Sequence, residues 1–227
     1  MSGGFARHPG QAAVKRVADP VVAGLALLVL APVLGVIALV ILVESGRPLV
    51  FVHQRAGKDG VPFRMLKFRT MLPNAVEVGK RLGLTPDPFG IVRDDPRITR
   101  SGRFLRRTGL DELPQLVNVL RGEMSIVGPR PDLVEQAANY AEEDRKRLVV
   151  RPGITGWSQI HGREDMTWPE RFRYDAWYVD NWSLALDLTI LWRTVGQLFR
   201  PEPTPVVDAM NIERARKRAA PSEGRKG

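Results

Sequence analysis

The chain has 227 residues, 44% of them hydrophobic, which suits a single domain with its own core. It contains no cysteine, so disulfides and cysteine-ligated metal sites are excluded. Lysine and arginine number 34 against 25 acids, a formal charge of +9 suited to anionic partners such as lipid headgroups, phosphates or nucleic acid.

Residues 1–19 read as an interfacial segment, and Lys15 and Arg16 at its end are expected to touch lipid headgroups. Residues 20–43 carry no charge and exceed the about 20 residues that cross a bilayer. This is long for the apolar part of a cleavable signal. Pro32 falls near its middle, where proline deletes a helix hydrogen bond. Basic residues flank both ends, Arg7, Lys15 and Arg16 before it and Arg47, Arg55 and Lys58 after it, so neither end is marked for the far side. The residues alone leave two readings open, a spanning anchor and a re-entrant helix bent at Ala31-Pro32.

Residues 44–200 follow as the main domain. Leu49–His53 and Phe63–Lys67 read as strands of a hairpin around the turn Gly57-Lys58-Asp59-Gly60. Lys67 and Arg69 alternate on the second strand and share a face, set to line a site or to pair with acids. The Gly-, Pro- and Asp-rich stretch from Pro73 to Asp95 is either a cover for a site or a plain connection. Arg103–Arg107 and Leu113–Leu120 look helical. Asp132–Val149 is predicted as one amphipathic helix with Leu133, Ala137, Tyr140 and Leu148 on a common side, and Leu184–Phe199 as another. Trp157, Trp168, Trp177, Tyr178, Trp182 and Trp192 crowd the C-terminal half, for a membrane interface or an aromatic core. His8, His53 and His161 are too scattered for a metal cluster. Residues 201–227 read as a basic flexible tail. The fold class is therefore α+β: a mostly helical domain with a short β-hairpin and an apolar N-terminal helix.

The chemistry concentrates at Asp111-Glu112. Arg106-Arg107-Thr108-Gly109-Leu110 precedes the pair, Leu113-Pro114-Gln115 follows it, and Met124-Ser-Ile-Val-Gly-Pro-Arg-Pro131 comes one apolar stretch later. Two carboxylates between permanently charged arginines suit a reaction at phosphate. Guanidinium forks bind phosphoryl oxygens, and an ionised carboxylate can attack phosphorus without a base. An Asp-Glu pair before Pro114 also suits the bland role of opening a helix, and the two roles are compatible.

The runs Thr108–Gln115 and Met124–Pro131 resemble the bacterial sugar transferases, the monotopic polyprenol-phosphate phosphoglycosyl transferases. The resemblance extends through Lys15-Arg16, Gln54-Arg55-Ala-Gly57, Lys67-Phe-Arg-Thr-Met71, Asp95-Pro-Arg-Ile-Thr99, Arg151-Pro-Gly-Ile-Thr-Gly-Trp157, Gly162-Arg163 and Tyr174-Asp175 through Ser183. It implies transfer of a sugar-1-phosphate from a UDP-sugar to polyprenol (undecaprenyl) phosphate through an aspartyl-phosphosugar, releasing UMP. In that scheme Asp111 is the nucleophile and contacts Mg²⁺, and Glu112 is a supporting ligand or proton manager. Arg106 and Arg130 match positions that bind the diphosphate or polyprenol phosphate. Arg151 and Arg163 belong to matched loops for the nucleotide half, and Lys67 and Arg69 are further substrate-binding candidates. Asp175 matches a recurrent acid with either a salt-bridge or a metal role. The resemblance also implies a re-entrant helix and a catalytic domain on the cytoplasmic face of the bacterial inner membrane. Family members commonly have Ser-Pro at the bend where this chain has Ala31-Pro32.

A membrane helix and the absence of any nucleic-acid motif set nucleic acid aside; membrane lipid, polyprenol phosphate and a UDP-sugar account for the charge. A hydrolase sharing the phosphoenzyme and a non-catalytic scaffold are the competing function classes. Which sugar is moved, the pathway served and a homodimer are not legible.

Overall fold

The computed structural model describes residues 3–85, 92, 95–162 and 166–198. After a short turn of helix, α1 (Gly4–Arg7), one helix dominates: α2 runs from Pro9 to Ser45. Pro20 and Pro32 both lie inside it, so the break expected at Ala31-Pro32 does not divide it into two elements. A proline inside a helix removes one bond of the ladder, and packing on both sides can hold the remainder together. That packing is present. Leu30 before Pro32 and Leu34 after it both rest on apolar clusters of the domain.

Indeed α2 is bedded on the domain from end to end. Ala12 packs with Val127, Tyr178, Val179 and Trp182. Ala23, Leu27 and Leu30 pack with Phe63, Met65, Leu116 and Met124. Ile37 and Ile41 pack with Phe68 and Leu105. Each fully buried aliphatic side chain contributes about 1.5–3 kcal/mol. The opposite face, including Val17, Leu25, Leu28, Val29, Val36 and Val43, is exposed. An apolar stripe this long on a surface marks contact with a membrane or partner.

Polar contacts pin both ends of α2. Near the start, Lys15 Nζ donates to Asp187 Oδ2 at 2.7 Å and lies 3.6 Å from Asp19, which accepts from Ser125 Oγ at 2.6 Å. Lys15, expected at lipid headgroups, is therefore buried, because two interior carboxylates offer its ammonium a better partner than the surface does. Arg16 is exposed. At the far end, Glu44 accepts from the backbone N–H groups of Arg100 (2.8 Å) and Ser101 (3.1 Å). Arg69 Nη2 donates to the carbonyls of Ser45 and Gly46, both at 2.8 Å. Those are orphan acceptors of a helix C-terminus, and a cation there also complements the helix dipole. Arg69 thus ties the end of α2 to the residue that follows the hairpin.

The hairpin forms as expected: β1 (Val50–Ala56) pairs antiparallel with β2 (Pro62–Phe68), from Val50 opposite Phe68 to Ala56 opposite Pro62. Its turn closes with Gly57 N–H donating to Val61 O at 2.8 Å. Within the 73–95 stretch lies α3 (Ala75–Arg81), and residues 86–91, 93 and 94 are outside those described. Next come α4 (Arg100–Thr108) and α5 (Gln115–Leu120). Two short strands were not anticipated: β3 (Ser125–Val127) runs parallel to β4 (Gly153–Thr155).

The single helix expected over Asp132–Val149 is not formed. Instead α6 (Val134–Ala138) stops at Asn139, and a 3-10 turn covers Asp144–Val149. Tertiary demand wins over local periodicity. Arg147 is buried and its guanidinium bonds to Asp132, to the Tyr140 hydroxyl (2.7 Å) and to Asp175 (2.6 Å), an arrangement that gathers both flanks of the segment around one cation. Asp175 therefore fulfils the salt-bridge alternative. The rest of the chain forms α7 (Gln159–Gly162), α8 (Trp168–Asn181) and α9 (Leu184–Leu198). The tryptophans divide: Trp182 is in the core, whereas Trp192 is 81% exposed. Among the described residues the architecture is α+β, mostly helical with two small sheets and one long apolar helix. Arg163, Phe199 and the tail 201–227 lie outside the described residues.

Candidate active site

Asp111 and Glu112 sit in a 3-10 turn, Leu110–Glu112, between α4 and α5. Helix α4 is capped at its start by Thr99 Oγ1, which accepts from Gly102 N–H, and ends at Gly109. Gly109 has φ +71°, a left-handed turn that L side chains avoid, and it redirects the chain into the acidic turn. Asn118 in α5 fixes the turn against the hairpin. Its Oδ1 accepts from Leu66 N–H at 3.0 Å, and its Nδ2 donates to Arg64 O at 2.8 Å, satisfying the open edge of β2.

That docking brings Lys67 over Glu112, with Nζ 2.7 Å from Oε1. Arg130, delivered by the loop after β3, grips the same carboxylate with both arms, Nη2 at 2.8 Å from Oε1 and Nη1 at 3.3 Å from Oε2. Burial pushes the Glu112 pKa up, but Arg130 and Lys67 outweigh it and bring the pKa down to about 2. Glu112 is a locked anion.

Asp111 behaves oppositely. It is buried, and among the described residues no side chain donates a hydrogen bond to its carboxylate. Burial and the neighbouring Glu112 charge raise its pKa, against the opposing pull of Lys67, Arg106 and Arg130. Two adjacent carboxyls are thus driven apart, a pattern that separates a structural acid from a reactive one. Greater basicity makes an ionised carboxylate a better nucleophile, and Lys67, Arg106 and Arg130 favour the ionised form against that rise.

Arg106 is anchored by Nε donating to Thr70 Oγ1 at 2.8 Å, close enough for its charge to reach Asp111. Arg55, which the residue pattern did not single out, also belongs here. Burial and the nearby Arg130 lower its pKa to about 10, partly offset by Glu112 and Tyr140, and its Nε is a buried donor without a hydrogen-bond partner. The available signal was the period of two, since Arg55 and Phe51 share a face of β1 and Phe51 pairs with Lys67. Lys67, Arg55, Arg106 and Arg130 therefore surround two acids. An excess of positive charge of this kind suits a polyanion.

Arg69 caps α2, and the Arg151 guanidinium lies against the turn at Gly122. Among the described residues no three His, Asp or Glu side chains converge on a metal position.

The sequence pattern that defines the bacterial sugar transferases matches residues 10–201, which include every residue of this cluster. The chain belongs to the bacterial sugar transferase family. Within the family it is 40% identical over 208 residues to the UDP-galactose-lipid carrier transferase of Erwinia amylovora, covering 88% of this chain and 43% of that protein. It is 43% identical over 194 residues to the UDP-glucose:undecaprenyl-phosphate glucose-1-phosphate transferase of Escherichia coli (strain K12), covering 82% of this chain and 40% of that protein. Against the exopolysaccharide production protein ExoY of Sinorhizobium fredii (strain NBRC 101917 / NGR234), identity is 40% over 189 residues, with 80% and 83% covered. The chain thus spans less than half of the first two proteins and most of the third.

Proposed function

We propose that this chain transfers a sugar-1-phosphate from a UDP-sugar to polyprenol phosphate at a membrane surface. The observation that carries this reading is the cluster itself, a buried carboxyl of raised pKa beside a locked one, ringed by Lys67, Arg55, Arg106 and Arg130. The named activities of the family relatives supply the substrate class.

Asp111 attacks the phosphorus that carries the sugar. An Asp–O–P bond forms, the bond to the second phosphate breaks, and UMP leaves with the bridging oxygen and its electron pair. A polyprenol-phosphate oxygen then attacks the same phosphorus, forming the lipid diphosphate sugar and returning Asp111 as a carboxylate. The barrier in both steps is anion meeting anion, so positioned cations provide most of the catalysis. Arg130 and Lys67 hold Glu112 and, with Arg55 and Arg106, present donors to the phosphates. Glu112 keeps the two central cations in place.

The donor set fits Mg²⁺ bound jointly with substrate. This ion takes one or two carboxylates plus phosphate oxygens, and the Asp111 carboxylate receives no hydrogen bond from the described residues. Glu112 already accepts from two cations, which leaves Asp111 as the main protein ligand. The ion would supply charge neutralisation at the diphosphate.

The topology is proposed to be re-entrant, with the catalytic cluster on the cytoplasmic face of the bacterial inner membrane. Support comes from the packing of α2. Its start, both flanks of Pro32 and its end all rest on one domain, which favours both ends on that domain's side of the bilayer. Arg16, exposed beside the apolar stripe, is assigned to headgroup contact.

Requirement for the lipid acceptor tests the reading. Sustained UMP release from a UDP-sugar is expected only when polyprenol phosphate is present. Equal turnover without it would make the protein a hydrolase.

A further inference from the structure

Behind the cation cluster lies a buried hub that the reaction above does not use. Arg147, at 3% exposure, stands in the 3-10 turn Asp144–Val149. Its guanidinium is fixed from three segments of the chain. Nη2 donates to Asp175 Oδ2 in α8 at 2.6 Å. Nη1 donates to the Asp132 carboxylate and, at 2.7 Å, to the Tyr140 hydroxyl. The Phe172 ring covers the guanidinium carbon at 4.6 Å. A charge taken out of water this completely needs partners, and two carboxylates already supply the countercharge.

One further contact is not explained by that need. Arg147 Nη2 also donates to the backbone carbonyl of Arg130 at 2.9 Å. Arg130 lies between Pro129 and Pro131, and a following proline restricts it to extended backbone. On the β4 side, Gly153 N–H holds Pro129 O at 2.9 Å; at the next residue the Arg147 guanidinium takes hold. A hydrogen bond from a charged donor is roughly twice as strong as one between neutral groups. The space beside Arg130, Asp132 and Arg147 is about 10 Å³, one water at most, so close packing reinforces the bond.

From this anchored backbone the Arg130 side chain runs to Glu112, which it grips with both arms at 2.8 and 3.3 Å. A two-armed contact tolerates little displacement, and a misplacement of about 1 Å in a reacting site can lower the rate about 100-fold. We propose that Arg147 is a positioning residue for the transfer reaction: through the Arg130 carbonyl it sets where the Arg130 guanidinium stands, and so how Arg130 meets Glu112 and the phosphates. This rests on the transferase reading, to which it adds a buried residue that governs the rate through another.

A double-variant cycle separates positioning from a general role in folding. Full-length wild type, Arg147→Lys, Arg130→Ala and the pair are compared in lipid nanodiscs with Mg²⁺, a UDP-sugar and polyprenol phosphate. Lysine keeps a charge for Asp132 and Asp175, but its ammonium lacks the planar fork that reaches the carbonyl as well. Arg147→Lys is expected to lower kcat about tenfold or more while melting curves show a folded protein at the assay temperature. Once residue 130 is alanine no guanidinium is left to place, so the pair is expected to be no slower than Arg130→Ala alone. Affinity for UDP, which needs no turnover, is read over the same cycle and covers an Arg130→Ala too slow to assay. Asp175→Asn, which loosens the same Nη2, replaces Arg147→Lys if that variant does not fold. Losses that multiply in the pair would mark a general effect on the fold and overturn the proposal. Wild-type turnover and UDP affinity in Arg147→Lys would overturn it too. A wild type that binds UDP but is inert toward every UDP-sugar would instead remove the transferase reading, and the placing of Arg130 would be judged on the UDP cycle alone.

Discussion

At the scale of residues, Asp111 and Glu112 have opposite consequences although they are neighbours. The raised pKa of Asp111 means that its ionised form is less stable in the folded protein than in the unfolded chain. Its contribution to stability is therefore largest at low pH and is lost as pH rises through the folded pKa. Asp111→Asn should cut transfer by at least about 10³-fold while leaving the melting temperature unchanged or higher at pH 7. Activity and thermal melts on the same preparation check both halves, and near-normal turnover would remove Asp111 as nucleophile. Glu112 has its pKa lowered to about 2, so its stabilisation is present above the ordinary value of 4.5 and lost as pH falls toward 2. Glu112→Gln should destabilise by about 1.5–3 kcal/mol at pH 7, a cost that shrinks across that acid window. Urea titrations at pH 7 and pH 3 measure the difference.

At the scale of elements, the site depends on two loops brought together without side chains. A Cβ on Gly153 would lie 2.1 Å from Gly128 N and 2.6 Å from Gly128 O, so β3 and β4 meet only because both positions are glycine. Gly153→Ala should cost about 1–3 kcal/mol through overpacking. It should also lower activity, because Arg130 follows Gly128 by two residues; denaturant midpoints and rates should fall together. Much of this level was legible in the residues. The hairpin, α4, α5 and α9 follow from alternation, turn glycines and helical period, and the motif around Asp111 pointed to the cluster with Lys67, Arg106 and Arg130. What was not legible depended on partners distant in the chain. Nothing local announces that Arg147 will break an amphipathic helix by recruiting Asp132 and Asp175, or that Lys15 will turn inward to Asp187. Arg69 shares the strand period of Lys67, yet it answers to the carbonyls of Ser45 and Gly46. Arg55 was hidden for the same reason, since its like-charged neighbour Arg130 comes from another element.

At the scale of the whole molecule, α2 has one face on the domain and one face of exposed valine and leucine, so the helix proposed to enter the membrane and the candidate site are parts of one assembly. The chain has no cysteine, which makes single-cysteine labelling clean. Gly10→Cys and Arg47→Cys, at the two ends of α2, should both react from the same side of sealed vesicles, whereas labelling from opposite sides would establish a spanning helix. In the reaction proposed above, an anionic lipid acceptor and an anionic nucleotide sugar meet at Asp111. The most direct test of that meeting is mass spectrometry of the purified protein mixed with Mg²⁺ and UDP-sugars in the absence of polyprenol phosphate. A phosphosugar adduct on Asp111, with about one UMP released per protein until lipid is added, is the expected result. Continuous UMP release without lipid, or an adduct on any other residue, would contradict the two-step transfer through Asp111.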